Sequence, residues 1–314
     1  MSKLRIIFMG TPDFAVKSLE ALHKEFNIVA VITAPDKKRG RGQMVIPTPV
    51  KQYAYQQGIP IIQQTNLKDE SFIKELSSYN PDINAVVAFR MLPKEVWNLP
   101  KYGSINLHAS LLPDYRGAAP INHAIINGEK QTGVTTFFLR EKIDTGNIIM
   151  QQKINIYPDD TAGTLHDKLM VSGAELLVKT MKQIETGDLQ SRPQTTVCKK
   201  EAPKIFKEDC KIDWSKRGTD INNFVRGLSP YPAAWASFKR NNKPFTAKIF
   251  AGKFHRETPT KPIGTVVAEN GNFGVVLPKG LYEITEIQPQ SKKRITGEEF
   301  LRGLQKGDVI TLDD

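Results

Sequence analysis

The sequence predicts an α/β protein in two parts: a doubly wound, mostly parallel sheet, then a small barrel of short strands. Three observations carry this reading. The first 190 residues alternate short apolar runs with segments of helical period. One of those runs, Ile83 to Phe89, is almost continuously apolar, as a central parallel strand buried on both faces must be. From Ile212 onward the pattern changes to short strands divided by turn dipeptides. At 314 residues, 39% hydrophobic and 25% charged, the chain has ordinary globular composition and room for two domains.

Leu4 to Met9 is an apolar run that ends at Gly10-Thr-Pro-Asp, and a helical pattern follows from Phe14 to about Lys24. Strand, glycine turn and helix open a Rossmann-like, doubly wound domain. The turn is not a Gly-x-Gly-x-x-Gly, which argues against NAD or FAD at this position. The basic and then apolar N-terminus is too short for a secretion signal and no small-residue cleavage site follows it. Ile28 to Ile32 reads as the second strand. Residues 34–50 hold two glycines and three prolines, which predicts an exposed loop without a regular element. Within it Lys37, Lys38, Arg39 and Arg41 form a basic finger. An isolated charge run is ordinarily a solvated face, but this one lies on a βα connection at the end of the sheet where ligands gather.

Helical patterns run over Val50–Gln57, Leu67–Tyr79, Glu95–Asn98 and Ile121–Ile126, and a long one extends from about Thr164 to Ile184. Ser104–Leu107, Gly133–Leu139 and Ile148–Ile156 read as strands, the last two joined by the turn Arg140–Gly146. Residues 190–208 lack periodicity and read as a linker, dividing a first domain (1–189) from a second (209–314). In the second, a helix over Thr219–Arg226 precedes strands at Ala236–Phe238, Ala247–Phe250, Gly264–Glu269, Gly274–Leu277 and Tyr282–Ile287.

From residue 191 onward there are 22 Lys and Arg against 14 Asp and Glu, a net +8 of the chain's +11. A basic C-terminal third suits a polyanion, nucleic acid before membrane, although charge alone is equally compatible with a surface tuned for solubility. The two cysteines, Cys198 and Cys210, fit neither a metal-ligand spacing nor a disulfide framework, and no metal is expected. No apolar run approaches the roughly 20 residues that span a bilayer. A soluble protein of the cytoplasm, without a membrane partner, is the simplest expectation.

The chemistry concentrates at Asn106 and His108. They are two apart on a strand, so they share a face, and they sit where that strand ends. An amide donor beside an imidazole supplies part of an acyl-transfer site. Asp144, in the glycine-bounded turn, would complete it as the group that orients the imidazole; a turn Asp is otherwise an Asx-turn or capping residue.

Asn106-Leu-His108, Ser110-Leu-Leu-Pro-Asp-Tyr-Arg-Gly-Ala-Ala-Pro-Ile121 and Asp144-Thr-Gly146 together resemble the signature of the folate-dependent formyltransferases. The likeness extends from Phe8-Met-Gly-Thr-Pro-Asp-Phe14 through Arg41-Gly and Pro47-Thr-Pro-Val-Lys51 to Ile212-Asp-Trp214 and Pro230-Tyr-Pro232, nearly the whole chain. Arg116-Gly-Ala-Ala-Pro120 and the basic finger bring it nearest to the branch that acts on initiator methionyl-tRNA. The resemblance implies that 10-formyltetrahydrofolate is the co-substrate and that the acceptor is the α-amine of the esterified methionine. It assigns catalysis to Asn106, His108 and Asp144, and folate binding to Ser110, Leu111, Leu112 and Pro113. It gives Lys37, Lys38, Arg39 and Arg41 to the tRNA, and makes the C-terminal barrel an OB-like tRNA-binding domain. Asn106 and His108 would stabilise the formyl oxygen as it becomes charged, while Asp144 orients His108 and helps remove the amine proton. A monomer is expected.

Two positions depart from the pattern. Lys142 stands where glycine is common, and Tyr231 where tryptophan is frequent; the second is expected to be a packing variation. A sugar-nucleotide N-formyltransferase using the same donor is the alternative, and a nucleic-acid-binding protein with a degenerate enzyme domain is a third reading. Ala118-Ala119 and the basic finger count against the former, and the presence of all three catalytic residues counts against the latter.

Overall fold

The apolar run at the start of the chain forms β1 (Arg5–Gly10), with Ile6, Ile7, Phe8 and Met9 all buried. A strand enclosed on both faces belongs at the centre of a sheet covered by helices, and β1 lies there. The structure, a computed structural model, describes residues 4–39, 44–195, 197–269 and 271–313. After β1 come α1 (Asp13–Glu25), β2 (Asn27–Ile32), β3 (Lys37–Arg39), β4 (Met44–Ile46), α2 (Pro49–Gln56), β5 (Ile61–Ile62) and α3 (Glu70–Ser78). Then follow β6 (Ile83–Val87), α4 (Lys94–Trp97), β7 (Ser104–His108), β8 (Arg116–Gly117), α5 (Pro120–Ile126), β9 (Gln131–Phe138), β10 (Ile148–Asn155), α6 (Ala162–Thr186) and β11 (Glu201–Ala202).

Two units are present. One comprises the chain up to Pro120 with Gln131–Asn155 and His166–Ala202; the other comprises Ile121–Lys130, Ile156–Leu165 and everything from Pro203. The first contains a seven-stranded sheet in the order β10-β9-β7-β6-β1-β2-β5. β7, β6, β1, β2 and β5 run parallel, while β9 and β10 are antiparallel additions at one edge. The chain leaves β1 toward β2 and later returns to its other side through β6, so the strand order reverses between β1 and β6. Gly10 makes the turn into α1 possible: a Cβ there would lie 2.7 Å from that of Ala15 and 3.1 Å from the Val87 carbonyl oxygen. The predicted strand over Ile83–Phe89 stops at Val87, because Ala88 turns the chain with φ 47°.

Residues 34–50, predicted to lack a regular element, instead hold a hairpin. Lys37, Lys38 and Arg39 pair with Ile46, Val45 and Met44. The composition misleads because all three prolines, Pro35, Pro47 and Pro49, fall outside the two strands. The base of the hairpin is tied. Thr33 and Thr48 share a buried hydroxyl–hydroxyl hydrogen bond of 2.8 Å, and the Lys51 ammonium donates to Asp36 (2.5 Å) and to Gln63 (2.7 Å). Those bonds from Lys51 and from the Gln63 amide hold the Asp36 carboxyl below the usual carboxylate range.

The second unit contains α7 (Gly218–Leu228), β12 (Ala234–Arg240), β13 (Lys243–Arg256), β14 (Val266–Glu269), β15 (Asn272–Leu277), β16 (Gly280–Pro289), β17 (Ile295–Thr296), α8 (Gly297–Arg302) and β18 (Ile310–Leu312). Its antiparallel sheet runs β14-β15-β16-β13-β12-β18, and the two end strands approach each other, so the sheet nearly closes into a barrel. The strand at Ala247–Phe250 is longer than predicted. It spans Lys243–Arg256, and irregular register against β16 between Ile249 and Gly252 breaks the alternation that marks a strand in sequence.

Phe238, Phe273, Trp214 and Tyr282 fill the interior of this unit. The Tyr282 hydroxyl is buried and has no hydrogen-bond partner among the described residues, and burial pushes its ionisation well above the ordinary tyrosine range. A buried, unpaired hydroxyl costs about 1–3 kcal/mol. Tyr282→Phe is therefore expected to raise the urea midpoint by the equivalent of about 1 kcal/mol, and a lowered midpoint would mean that the hydroxyl has a stabilising partner. Tyr231, predicted as a packing variation, is 81% exposed. Its neighbour does the packing: a Cβ on Gly163 would come within 2.7 Å of Pro230 Cδ.

Candidate active site

β6 and β7 end side by side next to the reversal of strand order, where open α/β sheets collect ligands beyond the carboxyl ends of their strands. Asn106 and His108 occupy this end of β7. Asn106 is partly exposed, and its side-chain amide has no hydrogen-bond partner among the described residues, so its donors are free for a ligand. His108 is only 6% exposed. Its Nε2 lies 2.8 Å from the Tyr115 carbonyl oxygen, which can only accept, so Nε2 carries a proton.

The other ring nitrogen, Nδ1, faces Asp144 Oδ2 at 3.8 Å, beyond hydrogen-bond distance. The same carboxylate oxygen accepts from the Gly117 amide at 3.0 Å. The three predicted catalytic residues are thus brought to one end of the sheet, but the bond that sets the tautomer of His108 goes to Tyr115 rather than to Asp144. With Nε2 committed, Nδ1 is the position at which the ring can take up a proton, and the carboxylate stands beside it.

The turn that delivers Asp144 has an unusual backbone. Asp144 has φ 52°, and Gly146 admits no side chain, since a Cβ there would fall 1.6 Å from the Phe138 carbonyl oxygen. Lys142 is tolerated before it; its carbonyl accepts from Thr145 Oγ1 at 2.9 Å.

Ser110–Pro113 is pinned from β9 and β10. Thr135 Oγ1 donates to the Ser110 carbonyl (2.6 Å) and accepts from the Leu112 amide (3.2 Å), while Gln151 Nε2 donates to the Leu112 carbonyl (2.9 Å). Ser110 is fully buried and donates to the Asp114 carbonyl at 2.7 Å, and Leu112 is 3% exposed. These two therefore shape the segment, leaving partly exposed Leu111 and Pro113 as the side chains that can face a ligand.

The basic finger is only partly described. Lys37 is exposed; Lys38 and Arg39 have backbone places in β3; Arg41 lies outside the described residues. Among the described residues no group of three or more His, Cys, Asp or Glu could hold a metal ion, and no helix is long and apolar enough to cross a membrane.

Sequence reasoning missed the supports: Tyr115, Thr135, Gln151, Arg116 and Gln194. Thr135 and Gln151 read as ordinary strand positions. Gln194 falls in the stretch read as a linker, which is in fact bonded along the site. The Tyr115 amide donates to the Lys200 carbonyl at 2.5 Å, the Lys199 amide to Asp114 at 3.0 Å, and β11 pairs with β8.

Residues 3–181 match the family model described as formyl transferase, and residues 204–305 match that of the formyl transferase C-terminal domain. A methionyl-tRNA formyltransferase of Flavobacterium johnsoniae is 48% identical over 310 residues, covering 98% of each chain. One from Azobacteroides pseudotrichonymphae is 50% identical over 312 residues, covering 96% of each. The chain belongs to the methionyl-tRNA formyltransferase family.

Solved structures share the fold at lower identity. An N-formyltransferase from Helicobacter canadensis, in complex with folinic acid and dTDP-3-aminofucose, aligns with TM-score 0.64 at 22% identity, over 93% of this chain and 100% of that one. HypX from Aquifex aeolicus, in complex with tetrahydrofolic acid, aligns with TM-score 0.63 at 16% identity, over 98% of this chain and 48% of its own. A free amide donor next to an imidazole–carboxylate pair is an arrangement suited to acyl transfer to an amine.

Proposed function

We propose that this protein transfers the formyl group of 10-formyltetrahydrofolate to the α-amine of methionine esterified to initiator tRNA, in the cytoplasm and as a monomer. The observation that carries this reading is full-length identity of 48–50% to relatives named methionyl-tRNA formyltransferase. The sugar-nucleotide alternative rests on structures at 22–23% identity, which speak for the fold alone.

The unprotonated amine attacks the formyl carbon, a carbon–nitrogen bond forms, and negative charge moves onto the formyl oxygen. The free Asn106 amide is the donor for that oxygen; one such donor is worth on the order of 10²–10³ in rate. As the intermediate collapses, the bond from carbon to N10 of the folate breaks and N10 takes a proton, while the former amine gives one up. His108 Nδ1 and the Asp144 carboxylate form the acceptor for the amine proton, directly or through water. Leu111 and Pro113 line the folate, held in place by Thr135 and Gln151. Lys37, Lys38, Arg39 and Arg41 grip the acceptor end of the tRNA, where phosphate contacts give affinity and salt dependence rather than base readout.

The decisive assay mixes the protein with 10-formyltetrahydrofolate and methionyl-tRNA and measures formyl-methionine released from the tRNA. Formylation of a UDP-aminosugar in place of the tRNA would overturn the reading. In the same assay Arg41→Ala is expected to raise KM for the tRNA with little change in the folate KM. It should also reduce the slope of log(kcat/KM) against log salt by about 1.

A further inference from the structure

We propose that Gln194 is a positioning residue for Asp144, its side-chain amide seating the turn so that the carboxylate faces His108. The proposal rests on the reading of this site as the formyl-transfer centre. Asp144 has a left-handed backbone, φ 52°, a conformation aspartate tolerates better than most side chains but still holds less readily than glycine, so bonds to its carbonyl help keep the turn in place. Gln194 Nε2 donates to the carbonyl oxygens of both Asp144 (2.9 Å) and Gly146 (2.7 Å), bridging the turn across Thr145. Its Oε1 accepts from Arg116 Nη2 at 2.7 Å, and Arg116 Nε donates to the same Asp144 carbonyl at 3.0 Å.

Two carbonyl acceptors on one side and a guanidinium donor on the other leave a single orientation for the amide. The loop then closes. Gly117, next to Arg116, donates its amide to Asp144 Oδ2 at 3.0 Å, and that oxygen is the one 3.8 Å from His108 Nδ1. Backbone and side chain of Asp144 are thus both referenced to Arg116–Gly117, and Gln194 is the piece that fixes the turn's carbonyls to the same frame. Without it the turn can rotate about Asp144 and carry the carboxylate away from the ring.

Glutamate at 194 separates this role from a merely structural one. Gln194→Glu keeps the shape and gains an ionic partner in Arg116, so an anchor for the 192–202 segment would survive. It loses the donor, however, and sets a carboxylate oxygen against two carbonyl oxygens. Both Gln194→Glu and Gln194→Ala are expected to lower kcat by about 10- to 10²-fold, the scale of an ångström of misplacement. KM for folate and for methionyl-tRNA should stay within about twofold, and the thermal midpoint of Gln194→Glu should fall no further than that of Gln194→Ala. Amide exchange gives a readout independent of turnover: the Gly117 N–H should exchange faster in Gln194→Glu.

Unaltered kcat together with unaltered Gly117 exchange in Gln194→Glu would overturn the proposal, and so would a loss confined to KM. If the alanine variant does not fold, the glutamate variant alone decides. If the unaltered chain transfers no formyl group to methionyl-tRNA, the functional reading fails, while Gly117 exchange still tests the seating of the turn.

Discussion

Replacing His108 with alanine is expected to lower kcat for formyl transfer by about 10²–10⁴ with both substrates saturating, the range typical of a lost proton acceptor. His108 is 6% exposed and bonded through Nε2 to the Tyr115 carbonyl, so its removal also strands a buried acceptor. A second variant separates the two effects. Gln at 108 can still donate to Tyr115 but offers no nitrogen that titrates. If His108→Gln keeps the urea midpoint and loses turnover as the alanine does, the loss belongs to proton uptake at Nδ1. Turnover at the unaltered level in His108→Gln would remove the imidazole from the mechanism.

Asp144→Asn is the second large effect, with an expected loss of about 10²–10³ in kcat. Asparagine is among the residues that tolerate a left-handed backbone, so the φ of 52° survives, and its Oδ1 can still accept from the Gly117 amide. What disappears is the negative charge 3.8 Å from His108 Nδ1. The variant therefore probes the electrostatic stabilisation of a protonated ring, a charge pair in a site where His108 and Asp144 side chains are only 7% and 12% exposed. The urea midpoint should stay put; a kcat equal to that of the unaltered chain would leave Asp144 a turn residue only.

The doubly wound sheet was legible because its strands are fully buried and write their hydrophobicity without interruption, as Ile83–Val87 does. Asn106 and His108 were legible because period-2 alternation places both on one face of β7. The hairpin of the basic finger was not, since its strands, Lys37–Arg39 and Met44–Ile46, are three residues each and too short to show an alternation. Gln194 was invisible for another reason. Its partners are 50 and 48 residues away in sequence, at Asp144 and Gly146, and a segment held by such side-chain bonds carries no period. Tyr231 shows that residue type alone does not settle burial: the prolines beside it set the loop, and the ring is left outside.

The bonds from residues 192–202 to the Asp144 turn also set an order of events during synthesis. β7 and the turn emerge from the ribosome first, yet the amide that seats the turn arrives with residue 194 and the strand that pairs with Arg116–Gly117 at residues 201–202. At roughly 5–20 residues per second, the nascent sheet waits several seconds between displaying His108 and receiving the segment that completes its site. A chain cut off before residue 194 lacks the amide that bonds the carbonyls of Asp144 and Gly146.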